Sequence, residues 1–496
     1  MSRVFSIPLG VPFLETLADA LVDGRLVPGF PGAGGPDALA RATIYLPTRR
    51  AARALSAALA EKASARFASD ALLLPRIVPL GEADDAELAL AAGALELGDT
   101  EGAAALPPPI APLERRLLLA RLIQRWSRAI DPRLARLDGD TPFLVPSSPA
   151  DAVALAAELE ALMDDVAWEG VPWRAIPEAV DGDFSRYFEI TLDFVRIAFE
   201  AWPAILAERG ASDPARRTAA LIDAQAARLA AAPPPGPVIA AGSTGSIPST
   251  ARLLAAIARL PNGAVVLPGL DRDLDASAWR EVCGDEEAKR APAHGHPQAV
   301  MARLLSRVLG IGREDVATLG APDVAGRARE AMLAQAMRPA ETTEAWAALD
   351  GAARARLAAE GTEGVALVEA RDEREEALAV AVALREALET PGRTAALITP
   401  DRGLAERVCA ELGRWGVVVD DSAGTSLAEA EAGRLARLAA EAAAERFAPL
   451  ATLALLHHPA VRPGFPPEDL ARARAAPQIG ALRGPRPAPG TACLAA

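Results

Sequence analysis

The sequence predicts an α/β protein built on parallel β-sheet, with large helical insertions. Three observations predict it. Short apolar runs alternate with amphipathic helices in three separate blocks, the arrangement that gives parallel strands joined by crossover helices. Between the first two blocks, from Pro112 to about Ala232, the apolar spacing is helical throughout. The chain has 496 residues, too many for one ordinary core, so two or three domains are expected.

The first block, residues 1–105, opens with the strand "RVFSIPL" and the helix "PFLETLADALVDG", which ends at Gly24. "ATIYLPT" is the next strand, "RRAARALSAALAEKASA" the next helix, and "ALLLPRIVPLGE" a third strand bounded by prolines. Residues 106–235, entered through the linker "LGDTEGAAALPPPIAP" at 97–112, form a helical insertion, as in "LERRLLLARLIQRW" and "DAVALAAELEALMDDV". The Pro-rich "AAPPPGP" closes it, and the sheet resumes in residues 236–345 with the strand "VIAA", a Gly/Ser/Thr loop, a helix and the strand "GAVVLPG". Residues 360–430 read as a further α/β domain with strands "GVALVEA", "TAALITP" and "GVVVDD" separated by helices. Residues 431–496 begin another helical insertion, and "GALRGPRPAPGTACLAA" has no periodicity.

Composition removes several classes of function. The formal net charge is −14, so nucleic acid would have to be held by a local basic patch. Cys283, Cys409 and Cys493 lie far apart without a CxxC pair, so neither a disulfide framework nor a zinc ribbon is readable, which fits a reducing cytoplasm. The N-terminus lacks the basic start and long apolar core of a signal peptide, and no run reaches the ~18 apolar residues of a membrane span.

Parallel α/β sheets bind ligands at the C-terminal ends of their strands, so the loops there carry the search. "IPLGVPFLETL" stands where a nucleotide-binding fold keeps its phosphate loop. Gly10 is alone in it, and the two lysines, Lys62 and Lys289, are in no GK[ST] motif, so ATP hydrolysis is not expected; the loop reads as ordinary strand–helix packing, with an anion at the helix start as the alternative. "LPTRR" delivers Thr48, Arg49 and Arg50 to a strand end. Cations at a helix start oppose the macrodipole, and guanidinium forks suit phosphate; an anionic ligand or a carboxylate partner is implied, against a simply solvated helix start. "AGSTGSIPST" offers Ser243, Thr244 and Ser246, which helix capping alone also explains. "TPDRGLAERV" places Asp401 as a cap and Arg402 beside it, free to meet phosphate or Asp401. Asp420 and Asp421 read as a turn before Gly424, His294 and His296 as a surface loop, and His457 with His458 as a helix C-terminus.

Taken together in this order, "SIPLGVPFLETLADAL", "IYLPTRRAARAL", "LLLPRIVPLGE", "IAAGSTGSIPSTARLLAAIARLPNGAVVLPGLD" and "RTAALITPDRGLAERVCAELGRWGVVVDDSAGTSL" resemble the AddB subunit of bacterial AddAB helicase–nucleases, most closely its alphaproteobacterial form. The resemblance runs through nearly the whole chain. It implies RecA-like, superfamily 1 helicase-like domains of the P-loop NTPase type whose motor motifs have decayed. "PLGVPF" would mark the lost ATP site. "PTRR" would touch single-stranded DNA, "GSTGS" would match the loop that couples ATP to DNA in true helicases, and Arg402 would lie in the second motor domain. The partners implied are DNA ends and an AddA-like subunit that supplies the ATP-driven motor, acting in double-strand break repair. The resemblance also implies ATP and Mg2+ in the complex, and a nuclease domain with an iron–sulfur cluster in a C-terminal half beyond these residues; the cysteines present do not match the cluster pattern. Two other readings remain: a part of an active helicase–exonuclease subunit, and a protein-interaction scaffold without DNA contact.

Overall fold

The computed structural model describes residues 3–32, 37–68, 72–80, 107–129, 136–137, 141–142, 148–172, 194–285, 290–424, 426–462, 464–466, 468–482, 488 and 490. The chain divides into two compact units, Met1–Val365 and Ala366–Ala496.

The first unit is organised by one sheet. β1 (Val4–Ile7) leads to helix α1 (Phe13–Val22), β2 (Thr43–Leu46) to α2 (Arg49–Phe67), and β3 (Arg76–Pro79) follows. The helical insertion then contributes α3 (Pro112–Ala129), a small antiparallel pair β4 (Arg136–Leu137) and β5 (Thr141–Pro142), α4 (Pro149–Glu169), α5 (Trp202–Arg209) and α6 (Pro214–Ala231). The sheet resumes with β6 (Val238–Ala241), α7 (Pro248–Arg259) and β7 (Gly263–Pro268). After α8 (Ala276–Cys283) and α9 (Ala299–Arg303) come β8 (Ala317–Thr318), α10 (Val324–Ala336) and α11 (Gly351–Gly361). The six strands are ordered β3-β2-β6-β7-β1-β8 and every pair is parallel.

Both faces of this sheet are covered, which is why its strands are near-continuous apolar runs. Side chains alternate between faces along each strand. Tyr45, Val238, Ala240, Val265 and Leu267 point to one face and pack with Leu221 and Ile222 of α6 and Leu253 and Ile257 of α7. Ile44, Leu46, Ile239, Ala241 and Val266 point to the other and pack with Leu17 and Leu21 of α1 and Leu55 and Leu59 of α2. Each such fully buried aliphatic side chain contributes about 1.5–3 kcal/mol. A buried polar tie pins the first face: Gln225 Nε2 donates to Tyr45 Oη at 2.6 Å, and burial pushes the phenol pKa up.

The insertion has its own core of Leu119, Ile123, Ala156, Leu159 and Trp202. Its entry and exit are tied together, since Ile110 donates to the Ser212 carbonyl and Ser212 to the Pro108 carbonyl. Arg115, buried at the centre, donates to Asp164 and Asp213, and Trp202 Nε1 also donates to Asp213. A helical segment can therefore be spliced between β3 and β6 without displacing either strand.

The second unit departs from the sequence expectation. It contains α12 (Glu373–Leu388), α13 (Arg402–Gly413), α14 (Glu431–Ala444), α15 (Pro449–His457) and α16 (Leu470–Pro477). The runs expected as strands at 364–370, 394–400 and 416–421 hold no strand. Leu367, Ile398 and Val418 are 86, 94 and 96% exposed. An apolar run becomes a strand only when a neighbour takes its ladder hydrogen bonds. Among the described residues of this unit no such neighbour is present, and its compact part is instead the α12–α13 contact through Ala377, Ala381, Val408 and Leu412.

Candidate functional site

At the C-terminal edge of the sheet, β2 and β6 are parallel neighbours, with Thr43 opposite Val238 and Tyr45 opposite Ala240. The loops "PTRR" and "GSTGS" therefore leave side by side. Gly242, at φ +75°, marks where they meet: a Cβ there would stand 3.4 Å from Pro47 Cδ and 3.5 Å from Phe13 Cε1. The loops after β2 and β6 and the first residue of α1 meet at that glycine.

Thr48 is extended and its hydroxyl accepts the Ala51 N–H at 3.1 Å, so it is the N-cap of α2. Arg49 and Arg50 are the first two helical residues and both are exposed. The first turn of α2 carries no acidic side chain. Two guanidiniums thus stand at the end of the helix where its dipole is positive. Ser243 and Thr244 are half-buried beside it. The helix-capping explanation for them is overturned. The N-cap of α7 is Ile247, without a side-chain cap, and the Ser243 hydroxyl instead accepts the Gly245 N–H at 3.2 Å. The reason is local: Pro248 starts the helix, and Gly245 at φ +69° turns the chain before it arrives. Arg303, which the sequence did not single out, donates to the Ser246 carbonyl at 3.1 Å and adds a third guanidinium to this rim.

The loop around Gly10 is built differently. The Gly10 N–H donates to Glu330 Oε1 of α10 at 3.3 Å. A Cβ on Gly10 would stand 2.9 Å from Pro322 Cβ and 3.2 Å from Gly326 Cα. Glu15 occupies the first turn of α1. Where a phosphate loop offers amides and a lysine, this loop offers an amide already taken by a carboxylate, a second carboxylate nearby and a covering helix. Lys62 is spent on Asp19 in the second turn of α1, at 3.1 Å. These residues do not fit a nucleotide's phosphates. Helix α10 is held in place by Arg327, which binds Asp273 and Glu330, and by Arg338 just beyond its end, which donates to Asp275 at 2.6 Å.

Arg402 lies in the second unit and is committed within it. Its guanidinium is bidentate to Asp421 at 3.1 and 2.7 Å, which raises its pKa, and Asp401 caps α13 through Gly403 and Leu404. Of the carboxylates near it, Asp421 and not its neighbour Asp401 is its partner. Asp421 also accepts the Ala423 N–H, completing a turn before Gly424. His457 is the last residue of α15 and His458 its C-cap. Among the described residues no group of three or more His, Cys, Asp or Glu could hold a metal ion. Burial pushes the Cys283 thiol up, Cys409 is half-buried, and Cys493 and Lys289 lie outside the described residues. No described helix is long and apolar enough to cross a membrane.

A scan against protein-family models gives no match, and a search of the curated proteins gives none either.

Proposed function

We propose that this chain is a catalytically silent, helicase-like scaffold of the AddB type that binds DNA and pairs with an ATP-driven motor subunit in the processing of DNA ends. The parallel sheet and its helical insertion are consistent with a RecA-like first domain. The observation that carries the reading is the convergence of "PTRR" and "GSTGS" at one sheet edge, which brings the exposed Arg49 and Arg50 of a helix start beside the Ser243–Thr244 loop. That arrangement suits a run of backbone phosphates, with Thr48, Ser243 and Thr244 supplying hydroxyls and Arg303 flanking the loop. Such contacts position a strand without reading its sequence. Nucleotide turnover is assigned to the partner, because the Gly10 loop is occupied by Glu330. Arg402 is left out of the DNA surface because Asp421 already neutralises it.

The test is fluorescence anisotropy of a labelled single strand across a salt series. The Arg49→Ala/Arg50→Ala double variant should bind more weakly and lower the salt slope by about 1.4, the loss of two phosphate contacts at ~0.7 each. Equal affinity and slope at low salt would sink the assignment. Co-purification with a motor subunit from the source cell tests the pairing.

A further inference from the structure

The loop after β6 is shaped by a distant segment. Residues 242–247 join β6 to α7, and the N-cap residue of that helix, Ile247, has no polar side chain with which to cap it. The loop is tied to the sheet at its start, where the Gly242 N–H donates to the Val266 carbonyl at 2.9 Å. Within the loop the Ser243 hydroxyl accepts the Gly245 N–H. The far end is tied by Arg303, 57 residues beyond Ser246, through the bond from its guanidinium to the Ser246 carbonyl. Ser243 and Thr244, the hydroxyls of the DNA surface, lie between the two ties.

The segment that carries Arg303 is built to stay in place. After Arg303 the helix that begins as α9 widens into a π-helical turn, Leu304–Leu309, and the Ser306 hydroxyl donates to the Ala302 carbonyl at 2.8 Å across the junction. Gln298, just before α9, accepts from the Asp271 amide and donates to the Gly269 carbonyl. Beyond the turn the Ile311 N–H donates to the Leu305 carbonyl. Leu304 is fully buried in the core of the sheet and lies directly under the loop: a Cβ on Gly245 would stand 3.1 and 3.3 Å from its two methyl carbons. Adjacent residues of one anchored segment thus give the loop an apolar floor, Leu304, and a polar tie, Arg303.

We propose that Arg303 is a positioning residue of the DNA surface, holding the Ser246 carbonyl so that Ser243 and Thr244 are already arranged for the strand. The role rests on the DNA reading and deepens it. A loop ordered before binding loses less conformational freedom when the strand arrives, so the tie raises affinity without adding a phosphate contact.

Arg303→Met keeps an apolar stem and removes the donor. By amide hydrogen exchange without DNA it should lower the protection of Gly245 about five-fold, while β6 and α2 keep theirs. By anisotropy it should bind a labelled single strand about five-fold more weakly, the worth of one hydrogen bond, with the salt slope of the parent. Arg303→Lys, which retains a donor for the carbonyl, should restore both. A slope lower by about 0.7 would make Arg303 a phosphate contact instead and overturn the role. Parental affinity or parental Gly245 protection in Arg303→Met overturns it too, as does failure of Arg303→Lys to restore binding. A parent without salt-dependent binding fails the DNA reading itself, and the role falls with it; a parent that binds while Arg303→Met binds equally well fails the role alone.

Discussion

The loops that follow β1 and β2 leave the same edge of the same sheet, and each opens a helix packed on the same face, yet they are finished in opposite ways. After β1 the amide of Gly10 is taken by Glu330, the first turn of α1 carries Glu15, and Pro322 and Gly326 close over the backbone. After β2 the helix is capped by Thr48 alone, and two arginines stand where a carboxylate would be favoured. A parallel sheet thus supplies several equivalent ligand positions. Which one is used depends on what packs onto the strand ends, and that comes from distant segments.

The largest way to break this contrast is charge reversal at the open end. Arg49→Glu with Arg50→Glu should cut single-strand affinity on the order of a hundred-fold at low salt. Anisotropy measures it, and an unchanged affinity would make the two ends alike. At the closed end, Gly10→Val forces a side chain against Pro322 and Gly326 and should destabilise the first unit by about 1–3 kcal/mol in denaturant unfolding, with DNA affinity untouched. A loss of DNA affinity there would mean the closed end also contacts the strand. Thr48→Ala removes the α2 cap and should cost about 1 kcal/mol by the same measurement. It should weaken DNA binding less than the arginine variants do. The smallest effect concerns pH. The Ala278 N–H and Arg338 hold the Asp275 carboxyl below its usual range. A folded pKa lower than the unfolded one means that this group's stabilisation is present above about pH 4 and is lost as the pH falls further. Protection factors in α10, exchange rates corrected for the intrinsic pH dependence, should fall slightly below about pH 4, and Asp275→Asn should lower them already at neutral pH.

The sequence carried the buried strands well. β1, β2, β3, β6 and β7 are short apolar runs, and their two-sided burial leaves a plain signature. It did not carry their order, because nothing local in "VFSI" says that β7 and β8 will flank it. The two-residue β8, both residues exposed, has no pattern to read. The arginines of "PTRR" were legible because a cation at a helix start conflicts with elementary electrostatics. Glu330 was not, since it looks like any helical glutamate until α10 is placed over Gly10. Arg402 was legible as a charged helix start, but its partner Asp421 lies 19 residues on, across α13. The apolar runs of the second unit were over-read: periodicity reports a preference for burial, and a ladder needs a second strand as well.

One feature of the sheet bears on how the chain is made. Arg3 hydrogen-bonds the Gly263 carbonyl, 260 residues further along, and Val4 pairs with Val265. At a synthesis rate of roughly 5–20 residues per second, β1 leaves the ribosome on the order of ten to fifty seconds before its inner neighbour exists. Through that interval Val4, Ile7, Leu17 and Leu21, all buried in the finished fold, have no sheet to cover them. The helical insertion, whose core closes on its own residues, is free to fold during the wait. The nascent N-terminus is therefore the stretch that a holding chaperone would be expected to engage, and its release would coincide with the arrival of β7.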